Sequence, residues 1–251
     1  MNKRIVIRFL SIFMILGILC LFNGCVVVDF ISNSEDTIYG TGEIVSKKYP
    51  VSEFKTVVID TFAEVIYSSA PSNSVTVEIQ ENLLPYLHIT TKDNQLLIKQ
   101  DKQIVMSGNK IPKIHISTPN LEGLIVRGGL TLKQADTLTA QTFLLDISGG
   151  CDVELPIEVE QLNIQISGAG DLRLSGEAKT ANINISGTGD LEALDLKTED
   201  TTINISGVGD ARICCSQTLN VSISGAGSLA YKGNPRINQH ISGAGTIENI
   251  K

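Results

Sequence analysis

The 251-residue chain contains no tryptophan, and only 5% of its residues are aromatic. Past Tyr86 the only aromatic side chains are Phe143 and Tyr231, which is thin provision for stacking on sugar rings. Helical periodicity is almost absent, so a helical bundle is excluded. Cysteine is scarce: beyond Cys20 and Cys25 there are Cys151, Cys214 and Cys215, an odd set with one adjacent pair and no disulfide framework. Adjacent strand residues point to opposite faces, so Cys214 and Cys215 are poorly placed to bond each other. All three read as free, small apolar residues.

Chemistry-bearing clusters are also missing. His88, His115 and His240 stand alone without metal-ligand spacing, and no Gly-x-Ser-x-Gly elbow occurs. Gly225–Ala230 fits a loose dinucleotide pattern, but Tyr231-Lys232-Gly233-Asn234-Pro235 cannot open the helix such a site requires. No cofactor is expected, and the chain reads as non-enzymatic. Basic stripes are absent too, which excludes nucleic acid as a partner.

One long apolar run is present. Phe9–Phe22 follows Lys3, Arg4 and Arg8, and its length suits a signal-peptide core better than a membrane span. It ends in Leu21-Phe22-Asn23-Gly24-Cys25, which resembles a bacterial lipobox with Phe22 in the usual aliphatic place. Residues 1–24 are therefore read as a lipoprotein signal peptide, Cys25 as the lipidation site, 25–37 as a tether, and 38–251 as one folded domain. The expected location is the bacterial cell envelope, at the outer membrane or cell surface. No acidic residue precedes Cys25, so the exported part carries 17 basic and 27 acidic residues.

What is abundant is glycine in register. Ser167-Gly168-Ala169-Gly170-Asp171 recurs as Ser186-Gly187-Thr188-Gly189-Asp190 and Ser206-Gly207-Val208-Gly209-Asp210. Weaker copies begin at Ser148, Ser224 and Ser242, and Ile125–Leu132 is a worn copy further upstream. The steps are 18 to 20 residues, a period that marks a solenoid. Between the glycine corners, branched aliphatics alternate with polar residues, the period-two mark of a strand with one buried face. Three inward columns follow, such as Ile147, Ile166, Ile185, Ile205, Ile223 and Ile241. The glycines are expected to supply positive φ and close approach of adjacent turns. Short strands continue upstream from Thr56 to Ser117, read as irregular rungs. The predicted fold is all-β: a single-stranded β-helix with rungs of about 18–21 residues, with a sandwich of hairpins as the alternative.

These residues resemble the head GIN domain family, known as auto-transporter adhesins and found in bacterial lipoproteins. The resemblance rests on Gly40-Thr41-Gly42, Phe54–Ile59, Val75–Glu78, Asn82-Leu83-Leu84 and the Ser-Gly-x-Gly-Asp repeats, and spans residues 40–248. It implies a right-handed β-helix at the cell surface or in the periplasm, and carries over no catalytic residues.

Three outward columns hold candidate sites, two of amides and one of aspartates. The amide residues Asn163, Asn182, Asn220, Asn184 and Asn204 could hydrogen-bond an extended glycan or peptide, or simply form ladders along the rod. The aspartates Asp152, Asp171, Asp190 and Asp210 should stack one rung apart, where like charges require backbone donors, solvent or a cation such as calcium. Expected partners are the membrane through the lipid anchor, a glycan or protein ligand, and a second copy through an uncovered C-terminal edge. The alternatives to a binding role are a structural envelope scaffold built through that edge and, last, a polysaccharide-acting β-helix enzyme.

Overall fold

The computed structural model describes residues 37–250, so the leader, Cys25 and nearly all of the tether lie outside it. From residue 38 onward the chain forms one compact unit. Its strands fall into an irregular cap and a regular coil.

In the cap, β1 (Thr37–Tyr39) pairs with β8 (Gln103–Val105). The remaining strands are β2 (Ile44–Tyr49), β3 (Thr56–Asp60), β4 (Phe62–Ser69), β5 (Ser74–Gln80), β6 (Leu87–Lys92), β7 (Gln95–Gln100) and β9 (Lys113–Thr118). Every upstream strand expected from sequence is present, but several pair antiparallel rather than as rungs. β6 and β7 form a hairpin, and β5 lies antiparallel to both β2 and β9. Asp93 and Asn94 turn the hairpin with φ of 50° and 59°, a conformation these two residue types tolerate. β3 and β4 form a rung that continues in parallel register into the coil, and β7 and β9 stack in parallel on its other side as one more, irregular turn.

The coil begins with β10 (Gly123–Val126) and β11 (Gly129–Ala135). It runs through β12 (Leu138–Ile147), β13 (Gly150–Ile166), β14 (Ala169–Ile185), β15 (Thr188–Ile205) and β16 (Asp210–Ile223). It ends in β17 (Ser228–Lys232), β18 (Arg236–Ile241) and β19 (Thr246–Asn249). Each strand pairs in parallel with the matching stretch of the next turn: Gly150 lies against Ala169, and Ile166 against Ile185. The chain is a β-solenoid, and Gly129 set against Gly150 confirms the worn copy as a rung.

The apolar columns form the core. Ile147, Ile166, Ile185, Ile205 and Ile223 are each at most 1% exposed, whereas Ile241 in the last rung is 40% exposed. At roughly 1.5–3 kcal/mol per buried aliphatic, the several contributed by each rung require neighbouring rungs to bury them. Where β15 meets the core with polar residues, Thr198 and Thr201 bond each other at 2.7 Å, and Thr198 also donates to the Cys214 carbonyl.

The corner glycines correct one expectation. None of the glycines in the Ser-Gly-x-Gly copies has positive φ; among the described residues only Gly42, Gly108, Gly176 and Gly233 do. Close approach alone selects them: a Cβ on Gly187 would overlap the backbone oxygens of Gly168 and Ser167. The corner serine has a matching role. Ser186 N and Gly187 N both donate to the Ile166 carbonyl at 2.8 and 3.1 Å, and Ser186 Oγ adds a third donor at 3.4 Å.

Candidate ligand-binding face

In β14 the in-out alternation breaks around Gly176, whose φ is 104°, and again near Thr180. These breaks divide each regular turn into three faces. The first carries Asp171 and Arg173 outward, the second Glu177 and Lys179, the third Asn182 and Asn184.

Charge is confined almost wholly to the first two faces. On the first, the aspartate column aligns as expected, with Asp152 against Asp171 and Asp171 against Asp190. Beside it runs a column the sequence reading missed, Glu154, Arg173, Glu192 and Arg212, alternating in sign from turn to turn. Reading outward charges at the 19-residue step would have found it. Lys133 holds Asp152 at 2.6 Å, with Arg173 3.7 Å away, and Arg212 pairs with Glu192 at 3.4 Å. Asp190 accepts from Asp210 N at 3.1 Å, and Asp210 accepts from Ser228 N at 3.0 Å and from the Ser228 hydroxyl. An open groove of about 340 Å³ lies over Asp171, Arg173, Asp190, Glu192 and Arg212. Two of the four aspartates thus receive backbone donors and a third is ion-paired. Among the described residues no group of three or more His, Cys, Asp or Glu side chains converges to hold a metal. On the second face Lys197 pairs with Glu177 at 3.1 Å. Exposed pairs of this kind contribute about 0–1 kcal/mol each, so they set surface character more than stability.

The third face is different. Asn163, Asn182, Thr202, Asn220 and Asn238 share one column, and Gln165, Asn184, Asn204, Ser222 and His240 the next. All five proposed binding residues lie here. They are tied along the axis: Asn182 Nδ2 donates to Asn163 Oδ1 at 3.2 Å, Asn204 to Asn184 at 2.9 Å, and Asn238 to Asn220 at 2.8 Å. Each amide retains donor and acceptor capacity beyond this one bond. Five turns at ~4.8 Å spacing make the two columns about 19 Å tall. Below Asn163 and Gln165 the columns continue as Leu144 and Asp146, so the amide strip starts at β13.

Cys151 occupies the place of the second corner glycine. Burial, followed by the charges of Asp171 and Asp152, raises its thiol from an ordinary 9.0 to about 12. Cys214 and Cys215 are free as well, and Cys215 is fully buried.

The outer faces of the solenoid are thus sorted into ion-paired surfaces and an uncharged amide strip. The family profile described as "Putative auto-transporter adhesin, head GIN domain" matches residues 53–235, and the chain belongs to that family. A crystal structure of a putative adhesin from Bacteroides fragilis is similar at 26% identity and a TM-score of 0.77, covering 85% of this chain and all of that one. A putative adhesin from Parabacteroides distasonis is 22% identical with a TM-score of 0.62, covering 86% and 100%. A protein of the same organism described as a putative lipid binding protein is 21% identical with a TM-score of 0.59 and the same coverage. These last two share the fold. No curated protein sequence matches the chain.

Proposed function

We propose that this chain is a non-enzymatic cell-surface lipoprotein that binds an extended polar ligand, a glycan or an extended peptide, along its amide face. The observation that carries this reading is the sorting of charge: one flat strip of carboxamides is left neutral while the neighbouring faces are ion-paired. A neutral strip offers repeated donors and acceptors at rung spacing to a ligand that repeats along its own length. Residues 1–24 act as a lipoprotein signal peptide and Cys25 carries the lipid, as the basic start, the apolar run and the lipobox-like Leu21–Cys25 support.

The test is a screen of the purified protein against arrayed glycans and matrix proteins. Saturable binding should be lost in an Asn184→Ala, Asn204→Ala double variant that still unfolds in a single cooperative transition well above the assay temperature. Binding unchanged by that variant, or carried equally by the Asp171/Arg173 face, overturns the assignment of the face.

A second reading is favoured by a separate observation. Among the described residues β18 and β19 have no strand on their far side, and Ile241 is 40% exposed. An open edge of this kind can pair with another strand, giving an envelope scaffold. Sedimentation that stays monomeric over a wide concentration range would remove self-association through this edge.

A further inference from the structure

The cap presents a second surface of different chemistry. Among the described residues, three of the six large exposed apolar side chains lie where the chain enters the fold: Tyr39 at 66%, Ile44 at 44% and Val105 at 39% exposure. Tyr39 and Val105 are neighbours by backbone pairing, since β1 lies against β8 and Gly40 N donates to the Val105 carbonyl at 2.7 Å. Ile44 lines a groove of about 220 Å³ with Met106 and Ile111, two lysines (Lys110 and Lys113) and two glutamates (Glu64 and Glu78).

This patch is rigidly held. Gln80, only 4% exposed, donates to the Gly42 carbonyl at 3.0 Å and to Ser107 Oγ at 2.9 Å, while its oxygen accepts from Ser107 N at 2.8 Å. Asn82 grips the other side, donating to the Tyr39 carbonyl at 2.9 Å and accepting from Thr41 N at 2.8 Å. Two polar side chains therefore fix in place a loop that keeps an aromatic ring in solvent. A pinned, exposed apolar patch marks a contact surface.

Its electrostatics select the occupant. Residues 37–113 hold eight lysines and eight acidic residues, whereas residues 114–251 hold nine basic and sixteen acidic ones. Seven of the ten net negative charges of the exported part therefore sit on the coil and three on the tether (Asp29, Glu35 and Asp36), whereas the cap is neutral overall and meets less repulsion at an anionic surface than the coil does. Exposed Lys48 lies on the same side of β2 as Ile44, Lys110 shares the groove of Ile44, and the exposed Glu43 adjoins Ile44. Fourteen chain steps separate Cys25 from Tyr39, so the patch stays within about 50 Å of any lipid on Cys25.

We infer that the Tyr39/Ile44/Val105 patch with its flanking lysines rests on the lipid surface, seating the cap on the membrane and pointing the amide-bearing coil away from it. The inference rests on the lipid-anchor reading above. Tyrosine and aliphatic side chains enter the headgroup boundary while lysines meet anionic headgroups.

The absence of tryptophan supplies the experiment. The full lipidated chain carrying Tyr39→Trp is reconstituted in phosphatidylethanolamine/phosphatidylglycerol vesicles containing brominated acyl chains. A Val208→Trp chain, altered at an exposed coil corner, serves as the reference. The expected result is a blue shift and loss of emission for Tyr39→Trp and neither for Val208→Trp, with the quenching reduced when Ile44→Ser and Val105→Ser are added. Equal iodide accessibility of both indoles on the vesicle overturns docking. A blue shift without bromolipid quenching, as on a protein partner or second copy, overturns it as well. The mass of the Cys25 peptide reports the anchor separately. If it carries no lipid, the anchor reading fails, and docking is judged by the same quenching at saturating vesicles, where silence overturns it.

Discussion

The coil and the cap solve the same problem, burying one face of each strand, by different means. In the coil a residue meets its own counterpart one turn later: Ile on Ile, Asn on Asn, Gly on Gly. Stability is then a sum of near-identical contacts, and the first glycine of each corner leaves no volume for a side chain. In the cap the contacts are singular. Gln80 serves Gly42 and Ser107, and Asn82 serves Tyr39 and Thr41. A repeat tolerates loss of any one ladder bond but not an added atom at its first corner glycine; the cap has open space at Gly42, none at Gly40, and depends on particular polar groups.

The largest expected effect tests the corner. Gly187→Val should destabilise by about 3 kcal/mol or more in urea unfolding, because the backbone of the previous turn occupies the Cβ position. Gly42→Ala in the cap should lose only about 1 kcal/mol, from its φ of 79°, since open space surrounds it. Equal losses would erase the contrast.

Next is the core column. Ile185→Ala should cost about 2–5 kcal/mol, and Ile241→Ala, at the exposed last rung, well under about 1 kcal/mol by the same assay. Removing a singular contact comes third. Gln80→Ala leaves buried partners unsatisfied and should cost about 1–3 kcal/mol, with faster amide exchange at Ser107 and unchanged exchange in β14.

The ladder bond is smaller: Asn184→Ala should shift stability by roughly 0.5–1.5 kcal/mol, read from the urea midpoint. The least visible effect is chemical. With its thiol raised to about 12, Cys151 should alkylate at pH 8 roughly a thousandfold more slowly than an ordinary thiol, and normally once unfolded. The sign for stability follows from the native state holding its proton longer. The contribution is complete below the unfolded thiol's pKa and declines as pH rises toward 12. Fast alkylation of the native protein would show that the thiol is accessible.

Much of the coil was legible beforehand because its register is written in the spacing. The columns headed by Ile147 and Asn163 stack as the repeat requires, and the Ser148 and Ser224 copies take their places despite imperfect motifs. The glycine reasoning was half right, since crowding rather than positive φ makes Gly187 obligatory. The cap strands were visible as apolar alternation, but their partners were not. Nothing in Ile44–Tyr49 announces an antiparallel match with β5, and Thr56 lies against both Gln95 and Gly123. The amide residues could be named, but not the uncharged face they form, because that depends on where the other columns turn away.

The sequence by itself determined the period, the buried columns and the axial ladders, since a repeat whose neighbour is its own copy sets its register by counting. The tertiary structure alone decided how the cap closes the first rung, which face stays neutral, and where Tyr39 is held in solvent. Those features arise from single contacts between distant segments, and no period encodes them.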